Sequence, residues 1–288
     1  MQLGLLVSGN LGKKALEYLH SRFFDLRFVF TDKNSNDIID FCNKENIEIF
    51  IGNPRINNYS KFIEDKPVDI LISINYLFII EKPLIDHPTR FAFNIHGSLL
   101  PKYRGRTPHV WAIINNETET GVTAHLINEG CDMGDIIKQV IVPIEKSDTG
   151  SSLLLKFESV YIKIITDILS EATTKIKIEA TPQDNSKATY FGKRTPADGV
   201  INWEWQRERI NNWVRAQSYP YPGAFSFING KKVIIDEVKF SDYAYSFDMK
   251  NGLILNNEPL IVKTPNGAIE ITKVREGKVY CLKDLYFN

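Results

Sequence analysis

The sequence predicts an α/β protein in which a Rossmann-like N-terminal domain is followed by a smaller, β-rich domain. Short apolar runs alternate with amphipathic stretches in the first half of the chain, which is typical of a parallel sheet covered by helices. Residues 175–199 are poor in apolar side chains, and three Asn-Gly hairpin signals follow them. A length of 288 residues fits two such domains.

The first predicted domain consists of strands and helices that follow each other along the chain. An uninterrupted apolar run predicts a strand, whereas apolar residues at helical spacing predict a helix. The predicted strands are Gln2–Val7, Leu26–Phe30, Ile47–Ile51, Val68–Ile74, Arg90–Ile95, Val122–Ile127 and Ile136–Val142. The predicted helices are Gly12–Arg22, Asp37–Glu45 with Ser35 or Asn36 as its cap, Ile56–Glu64 and Gly150–Ala172. We expect the last two strands to extend the sheet in a more antiparallel manner.

The carboxyl-terminal part predicts a helix and a small OB-like barrel. A helical pattern at Glu204–Ala216 and the turn cluster Tyr219–Gly223 precede short strands that the Asn-Gly pairs separate. The predicted boundaries are a first domain at residues 1–180, a linker at 181–203 and the helix plus barrel at 204–288.

Charge and composition exclude several classes of protein. The chain has 35 Lys and Arg side chains against 35 Asp and Glu, and residues 200–288 carry 12 basic and 10 acidic side chains. This balance speaks against a nucleic-acid partner that is held by phosphate neutralisation. Hydrophobic residues at 43% and charged residues at 24% are typical of a globular protein and exclude a disordered one.

The sequence also indicates a cytoplasmic protein without a membrane partner. Apolar runs such as Val68–Ile74 are far shorter than the roughly 20 residues of a membrane span. Met1 leads directly into a strand pattern, without the basic start of a signal peptide. Cys42, Cys131 and Cys281 are widely spaced and form no Cys-x-x-Cys pair, so neither a disulfide framework nor a cysteine zinc site is expected.

The loop Ser8–Gly12 links the first strand to the first helix, a place where anions often bind. It lacks the complete Gly-x-Gly-x-x-Gly pattern, and no acidic residue stands convincingly at the ribose position. A tight turn accounts for this loop, and no dinucleotide cofactor is expected.

A polar segment follows the fifth predicted strand. Asn94 and His96 alternate at the carboxyl end of that strand, so they share one face at the edge where open α/β sheets bind ligands. Lys102, Arg104 and Arg106 follow in a glycine-containing loop. Taken alone, this loop is either a solvated surface loop or a site for an anion.

An acidic loop, Asn128–Asp135, lies between the last two predicted strands of the first domain. Its spacing fits no common calcium or metal site, and Asp132 taken alone is more typical of a turn. No metal is therefore expected. His20, His87 and His125 lie in helix, loop and strand contexts, and we expect them to be structural.

Together these segments resemble the folate-dependent formyltransferase family. The pattern Asn-x-His-x-Ser-Leu-Leu-Pro-x-x-Arg-Gly is present from Asn94 to Gly105, and Asp132 has the loop context of the family. The resemblance resumes at Tyr190–Gly199, Val214–Ala216 and Tyr221–Phe225. The family includes methionyl-tRNA formyltransferase, glycinamide ribonucleotide transformylase and the formyltransferases of nucleotide-linked amino sugars.

The resemblance implies that residues 1–180 form a catalytic domain with an Asn-His-Asp catalytic set. Formyl transfer from N10-formyltetrahydrofolate to an amine passes through a tetrahedral oxyanion, so it requires an N–H donor and a proton carrier. Asn94 would donate to the oxyanion, and His96 would carry the proton from the amine to the leaving nitrogen. Asp132 would hold the imidazole in one tautomer and favour its protonated form.

By the same resemblance, N10-formyltetrahydrofolate is the co-substrate and no metal takes part. The segment after the fourth predicted strand is expected to contact the pterin, largely through backbone groups. Tyr76, Leu77 and Ile79 are the predicted wall residues of this folate pocket.

The expected acceptor is a nucleotide-linked amino-deoxysugar of the kind used in bacterial O-antigen biosynthesis. A dTDP-linked 3- or 4-amino-dideoxyhexose is the first choice, and GDP- or UDP-sugars are the alternatives. Cationic side chains would bind the diphosphate, and aromatic rings would stack on the base. The predicted substrate-binding residues are Lys102, Arg104, Arg106, Thr107, His109, Phe191, Arg194, Trp213, Tyr219 and Tyr221.

Two other activities stay open for the same catalytic set. Methionyl-tRNA formyltransferase has a similar two-domain plan, but it must hold a polyanion, which a net charge of zero does not favour. A formyltetrahydrofolate hydrolase would use water in place of the amine. A homodimer is also expected, because symmetric dimers are common among such enzymes.

Overall fold

Strands and helices alternate along the first half of the chain in the computed structural model, which describes residues 1–55, 59–277 and 285–287. The helices are α1 (Gly9–Ser21), α2 (Asn36–Lys44), α3 (Ser60–Ile63), α4 (Lys82–Ile85), α5 (Pro108–Ile114), α6 (Gly150–Thr174) and α7 (Arg207–Ala216). The strands are β1 (Gln2–Val7), β2 (Asp25–Thr31), β3 (Ile49–Ile51), β4 (Ile70–Ile74), β5 (Phe91–His96), β6 (Arg104–Gly105), β7 (Glu119–Leu126), β8 (Ile136–Pro143), β9 (Tyr190–Phe191), β10 (Ala224–Ile228), β11 (Lys231–Ser241), β12 (Ile254–Asn257), β13 (Leu260–Thr264) and β14 (Gly267–Glu276).

Most of the predicted elements are confirmed, with ends that shift by a few residues. Helix α1 begins at Gly9 rather than at Gly12, because Ser8 has an extended backbone and is already the N-cap residue. Ser35 is the N-cap residue of α2, as predicted. Its hydroxyl donates to the carboxylate of Asp32 instead of bonding to the first turn of the helix.

The remaining differences concern short elements and the limits of the described residues. Helix α3 is the observed part of the predicted helix at Ile56–Glu64, and Ile56 lies outside the described residues. Cys281 also lies outside them. The sequence does not predict α4 and α5, which are only one or two turns long and have proline in the first turn.

The chain divides into two compact units, each assembled from separate segments. The first unit comprises Met1–Gly105, Gly121–Val142 and Lys156–Tyr190. Its sheet has the strand order β3-β2-β1-β4-β5-β7-β8 and is parallel from β3 to β5. The predicted parallel sheet is therefore confirmed, and β7 extends it antiparallel to β5. The boundaries at residues 180 and 204 stay a prediction.

Burial on both faces explains why the central strands are almost entirely apolar. Leu3, Leu5 and Leu6 of β1 have no exposed surface, as expected for a parallel strand with layers on both sides. Each fully buried side chain of this kind contributes roughly 1.5–3 kcal/mol. One core cluster of this unit consists of Leu6, Phe28, Phe30, Tyr59, Ile63, Val68, Leu71, Leu84 and Ala92. This core makes the sheet a rigid support for its polar carboxyl edge.

The pairing of β5 with β7 brings polar residues from distant parts of the sequence together. In their antiparallel register Asn94 lies opposite His125, and His96 lies opposite Thr123. Residues that oppose each other on neighbouring strands share a face of the sheet and have close Cβ atoms. The register of this pair therefore decides which side chains surround Asn94 and His96.

The second unit comprises Arg106–Thr120, Pro143–Leu155 and Phe191–Asn288. Its antiparallel sheet has the strand order β10-β11-β14-β13-β12, and α7 packs on β11. The predicted hairpin turns Asn229-Gly230 and Asn266-Gly267 connect β10 to β11 and β13 to β14. A separate antiparallel β unit is thus confirmed. β10 and β12 are the edges of the described sheet, and its closure into a barrel stays a prediction.

Helix α6 is the longest described helix, with 25 residues. Phe157, Ile164 and Ile165 form part of its buried face. Neither α6 nor any other helix in the described part of the chain is both long and apolar enough to cross a membrane.

The loop between β7 and β8 has no room for a side chain at Gly134. A Cβ atom there would collide with the backbone oxygen of Leu126, which cannot rotate away. We expect Gly134→Ala to lower the free energy of unfolding by about 1–3 kcal/mol. Gly192→Ala is the control, because a Cβ atom at Gly192 meets no described atom within 4 Å. Denaturant unfolding of both variants measures the difference, and equal stabilities would contradict this packing.

Candidate active site

Two strand residues and one loop residue converge in the first unit. Asn94 and His96 project from the same face of β5, and Asp132 lies in the loop between β7 and β8. The side chains of His96 and Asp132 are only 8% and 12% exposed. The structure thus brings together the three residues that the resemblance implies as a catalytic set.

Two contacts fix the ring of His96. Its Nε2 lies 2.8 Å from the backbone oxygen of Tyr103, which can only accept a hydrogen bond, so Nε2 carries the ring proton. Its Nδ1 lies 3.5 Å from Oδ1 of Asp132. This corrects the expectation that Asp132 sets the tautomer. The carbonyl of Tyr103 sets it, and Asp132 faces the basic nitrogen that can gain a proton.

The carboxylate of Asp132 is buried in an ionised form. Burial by itself would raise the pKa of Asp132, but electrostatic interaction with His96 and His125, whose rings each lie 3.5 Å from Oδ1, lowers it. The backbone N–H of Gly105, which donates to Oδ2 at 2.9 Å, lowers the pKa further, to well below its usual range. A negative charge is therefore present beside Nδ1 of His96 at neutral and mildly acidic pH.

His125 belongs to this cluster, although the sequence analysis treats it as structural. Its Nδ1 donates to the backbone oxygen of Leu126 at 2.8 Å. Its Nε2 lies 3.1 Å from Nδ2 of Asn94 and 3.5 Å from Oδ1 of Asp132. In the neutral ring Nε2 accepts one N–H of Asn94, which orients the carboxamide and leaves its second N–H for another acceptor. The pairing of β5 with β7 is the signal that could have found His125.

This arrangement can stabilise an oxyanion and move one proton. The second N–H of Asn94 can donate to an oxygen that becomes negative, without any change of charge on the protein. Nδ1 of His96 can accept a proton, and the carboxylate of Asp132 stabilises the resulting imidazolium. Within the residues that the structure describes, no group of three or more His, Cys, Asp and Glu side chains is suited to hold a metal ion.

The predicted folate-pocket residues follow β4 and differ in their surroundings. Tyr76 packs against the core cluster of the first unit, and burial raises the pKa of its hydroxyl. Leu77 and Ile79 are 39% and 64% exposed. The two aliphatic side chains are thus accessible to a ligand, whereas Tyr76 is largely part of the core. Contact of the three residues with folate stays a prediction.

The predicted cations at Lys102 and Arg106 are both exposed, so their side chains are accessible to an anion. Thr107 is the N-cap residue of α5 and has a positive φ of 50°. Its hydroxyl is buried and makes no hydrogen bond within the described residues. A substrate contact of these three residues stays a prediction.

Arg104 has an environment that the sequence does not predict. It has no exposed surface. Its Nε and Nη2 donate to Oε1 of Gln183 at 3.2 and 2.6 Å, Nη2 also donates to Asn185, and Nη1 donates to the hydroxyl of Tyr190. The predicted phosphate-binding role of Arg104 is therefore corrected. Its guanidinium is buried among neutral oxygen acceptors and is not presented to a ligand.

In the second unit, an arginine lies between two tryptophan rings. The guanidinium of Arg194 is 5.0 Å from the ring centre of Trp111 and 4.4 Å from that of Trp213. Burial lowers the pKa of Arg194, and the side chain donates to Gln217. The ring of Phe191 lies 5.0 Å from Trp111. Three predicted substrate-binding residues thus share one cluster with Trp111, which the sequence analysis does not select.

The other predicted substrate-binding residues of this unit form separate contacts. Nε2 of His109 lies 2.8 Å from the hydroxyl of Tyr221, and burial raises the pKa of Tyr221 to about 12. Tyr219 is 71% exposed, and its ring lies 5.5 Å from the guanidinium of Arg275. A role of His109, Tyr219 and Tyr221 in binding stays a prediction.

Two family models match most of the chain. Residues 32–169 match the formyl transferase model, and residues 193–285 match the model of the formyl transferase C-terminal domain. The chain belongs to the formyl transferase family. This membership confirms the expected family and enzyme class, and the first match contains the cluster of Asn94, His96 and Asp132.

Solved structures of other formyltransferases have the same fold. WlaRD, a sugar 3N-formyl transferase solved in the presence of dTDP and 5-N-formyl-THF, has 24% identity and a TM-score of 0.70, covering 96% of this chain and 99% of that one. The N-formyltransferase from Helicobacter canadensis has 23% identity and a TM-score of 0.70, covering 94% and 97%. Methionyl-tRNA formyltransferase from Clostridium thermocellum has 17% identity and a TM-score of 0.63, covering 96% and 100%. These similarities confirm the predicted fold class.

The lowered pKa of Asp132 predicts a pH-dependent contribution to stability. An unfolded aspartate titrates near 3.9, so the contribution is complete above about that pH and is lost as the pH falls toward the lower pKa of the folded state. We expect the stability difference between the protein and Asp132→Asn to be larger at about pH 5 than at about pH 3. Urea unfolding at both pH values measures it, and the other carboxylates cancel because both proteins contain them. A difference that does not change with pH would contradict these contacts.

Proposed function

We propose that the protein transfers the formyl group of N10-formyltetrahydrofolate to the amine of a nucleotide-linked amino-deoxysugar, with a dTDP-linked 3- or 4-amino-dideoxyhexose as the acceptor. The observation that carries the chemistry is the cluster of Asn94, His96 and Asp132 in a member of the formyl transferase family. The choice of acceptor is supported by the similarity to two formyltransferases, one named as a sugar 3N-formyl transferase and one solved with dTDP-3-aminofucose.

In the proposed reaction, the free amine attacks the formyl carbon and forms a tetrahedral oxyanion. The N–H of Asn94 that His125 does not use donates to this oxyanion. Nδ1 of His96 takes the proton that the attacking nitrogen loses, and Asp132 stabilises the imidazolium. The bond from the formyl carbon to N10 then breaks, and His96 returns the proton to the leaving nitrogen. The enzyme thus ends the cycle in its starting protonation state.

The nucleotide and the folate are proposed to contact accessible side chains. Lys102 and Arg106 are exposed, and cations of this kind form strong charge-assisted hydrogen bonds with a diphosphate. Phe191 offers an aromatic face on which a base can stack. Leu77 and Ile79 present apolar surface of the kind that a pterin ring covers.

Methionyl-tRNA formyltransferase is the competing activity. Similarity to the enzyme from Clostridium thermocellum extends over nearly the whole of both chains, so the fold does not separate the two acceptors. Charge favours the sugar nucleotide, because a chain with equal numbers of acidic and basic side chains gains little from counterion release on a polyanion.

A panel of nucleotide-linked amino sugars, assayed with N10-formyltetrahydrofolate, tests the proposed acceptor. Mass spectrometry of the product identifies the formylated sugar and the position of its amide. Formylation of charged initiator tRNA without turnover of any amino sugar would replace the sugar acceptor by methionyl-tRNA. Rapid release of formate in the absence of any amine would instead identify a hydrolase.

Removing the proposed proton carrier or the proposed oxyanion donor is expected to abolish most of the turnover. We expect His96→Ala to lower kcat by on the order of 10²–10⁴ and Asn94→Ala by on the order of 10²–10³. His20→Ala is the control, because His20 is a helix residue whose ring lies 3.8 Å from Glu45. Circular dichroism checks that all three variants fold. Near-normal turnover of His96→Ala would remove His96 from the mechanism.

The proposed mechanism also predicts how activity depends on pH. The imidazole of His96 must be neutral and the sugar amine must be free, so kcat/KM is expected to rise between about pH 6 and 8. Asp132→Asn should lower the rate and move the histidine part of this limb to lower pH, because the imidazolium loses the carboxylate beside Nδ1. Titrating the acceptor amine separately isolates the contribution of the enzyme. A flat profile with rate-limiting chemistry would contradict His96 as the base.

We further propose that the protein works as a cytoplasmic homodimer. Phe240, Tyr243 and Phe247 of the second unit are 47%, 42% and 81% exposed, which leaves apolar surface for a second copy to cover. Sedimentation equilibrium measures the mass in solution, and a monomer at micromolar concentration would contradict the dimer.

A further inference from the structure

We propose that Gln183 is a positioning residue that holds Asp132 in place for proton transfer, and that the buried guanidinium of Arg104 orients Gln183. This inference rests on the proposed function, because Gln183 acts on the reaction only through Asp132. It gives Arg104 a role different from the phosphate contact that the sequence suggests.

The side-chain amide of Gln183 has one possible orientation. Nε and Nη2 of Arg104 both donate to Oε1 of Gln183, at 3.2 and 2.6 Å. A guanidinium has five N–H donors and no acceptor, so the oxygen of the amide must face Arg104. Nε2 of Gln183 therefore points the other way and is available as a donor.

The donor end of Gln183 binds the loop that carries Asp132. Nε2 donates to the backbone oxygens of Asp132 at 2.9 Å and of Gly134 at 2.7 Å. Asp132 has a positive φ of 54°, a conformation that a non-glycine residue keeps only when surrounding contacts hold it. These two hydrogen bonds fix the backbone on both sides of Met133, so they also fix the point from which the carboxylate of Asp132 reaches His96.

The support for Gln183 is itself buried and bonded to the backbone. Arg104 has no exposed surface and Gln183 is 9% exposed, so water does not compete for their hydrogen bonds. Two residues before Gln183, the backbone of Thr181 forms a pair of 2.8 Å hydrogen bonds with Ile136 at the start of β8. A continuous series of buried contacts thus leads from Arg104 through Gln183 to Asp132.

A purely structural explanation would make Gln183 only an acceptor that satisfies Arg104. The two explanations use opposite ends of one amide, so a single substitution separates them. Gln183→Glu keeps an acceptor of the same length beside Arg104 and adds a favourable charge. At the other end it replaces the N–H donor by an oxygen that faces two carbonyl oxygens. The substitution therefore preserves the support of Arg104 and removes the hold on the loop.

The experiment measures kcat, KM for both substrates and thermal unfolding of Gln183→Glu, Asn185→Asp and Asp132→Asn. Asn185→Asp is the matched control, because its Oδ1 accepts from Nη2 of Arg104 at 2.8 Å and it therefore places the same charge beside the guanidinium. We expect Gln183→Glu to lower kcat by about 10- to 100-fold, with KM within about threefold. Asn185→Asp should keep the kcat of the unaltered protein.

The pH profile of kcat gives a second readout that a structural role would not move. The titratable side chains that face Asp132 are His96, His125, Cys131 and Tyr161. If Asp132 leaves its place in Gln183→Glu, the acid limb moves to lower pH, as in Asp132→Asn. The added negative charge acting alone through space would move the limb to higher pH, so an upward shift would overturn the positioning role.

The outcomes separate this inference from the proposed function. Normal kcat in Gln183→Glu together with a large loss in Asp132→Asn would overturn the role of Gln183 and leave the proposed mechanism intact. Normal kcat in Asp132→Asn would instead overturn the mechanism. Equal losses in Gln183→Glu and Asn185→Asp would attribute the effect to charge and overturn the inference.

If Gln183→Glu does not fold, Arg104→Lys provides the second test. It keeps the cation, but it frees the side-chain amide of Gln183 to turn. An unchanged kcat of Arg104→Lys would also overturn the inference.

Discussion

The candidate active site depends on one constraint: the carboxylate of Asp132 must stay ionised, although its burial opposes the charge. The side chain of Asp132 is 12% exposed, yet its pKa lies well below its usual range. Such a charge is tolerated inside a protein only when donors and cations compensate for the lost water. The backbone N–H of Gly105 donates to this carboxylate, and the imidazoles of His96 and His125 lie 3.5 Å from it. The loop of Asp132, the pairing of β5 with β7 and the buried residues that support them keep these groups in one place.

The same constraint explains why the catalytic cluster is built on a strand pair rather than on loops alone. His96 and His125 belong to neighbouring strands whose antiparallel register fixes their separation. Asp132 follows the second of these strands, so its loop begins from a rigid edge. The glycine at position 134 allows the loop to pass close to the backbone of Leu126, where any side chain would collide. The separation of the catalytic side chains is thus fixed by strands that the packing of the sheet already stabilises.

Local patterns in the sequence are sufficient to predict part of the fold and part of the candidate active site. Alternation along β5 places Asn94 and His96 on one face, and the Asn-Gly pairs at residues 229 and 266 mark hairpin turns, because both features depend on neighbours in the chain. Asp132 could be selected only through the resemblance to a family. Its loop has no periodicity, and an isolated aspartate near glycines is more typical of a turn.

Contacts between distant segments account for what the sequence does not reveal. His125 enters the site through strand register, which no local pattern encodes. Arg104 and Arg106 look equivalent in the sequence, yet one has no exposed surface and the other is exposed. The difference arises from acceptors near residues 183 and 185, about 80 positions further along the chain. A cation in a glycine-containing loop is therefore a weak indicator of phosphate binding until its acceptors are known.

The distribution of aromatic side chains has an optical consequence. All four tryptophans, Trp111, Trp203, Trp205 and Trp213, belong to the second unit, whereas the first unit has only tyrosine and phenylalanine. Tryptophan emission therefore reports on the β-rich unit, and the guanidinium between Trp111 and Trp213 makes it sensitive to the local order of that unit. The unit that contains His96 has no tryptophan and therefore does not contribute to this emission. Agreement between a fluorescence melt and a circular dichroism melt would consequently measure whether the two units unfold as one cooperative body.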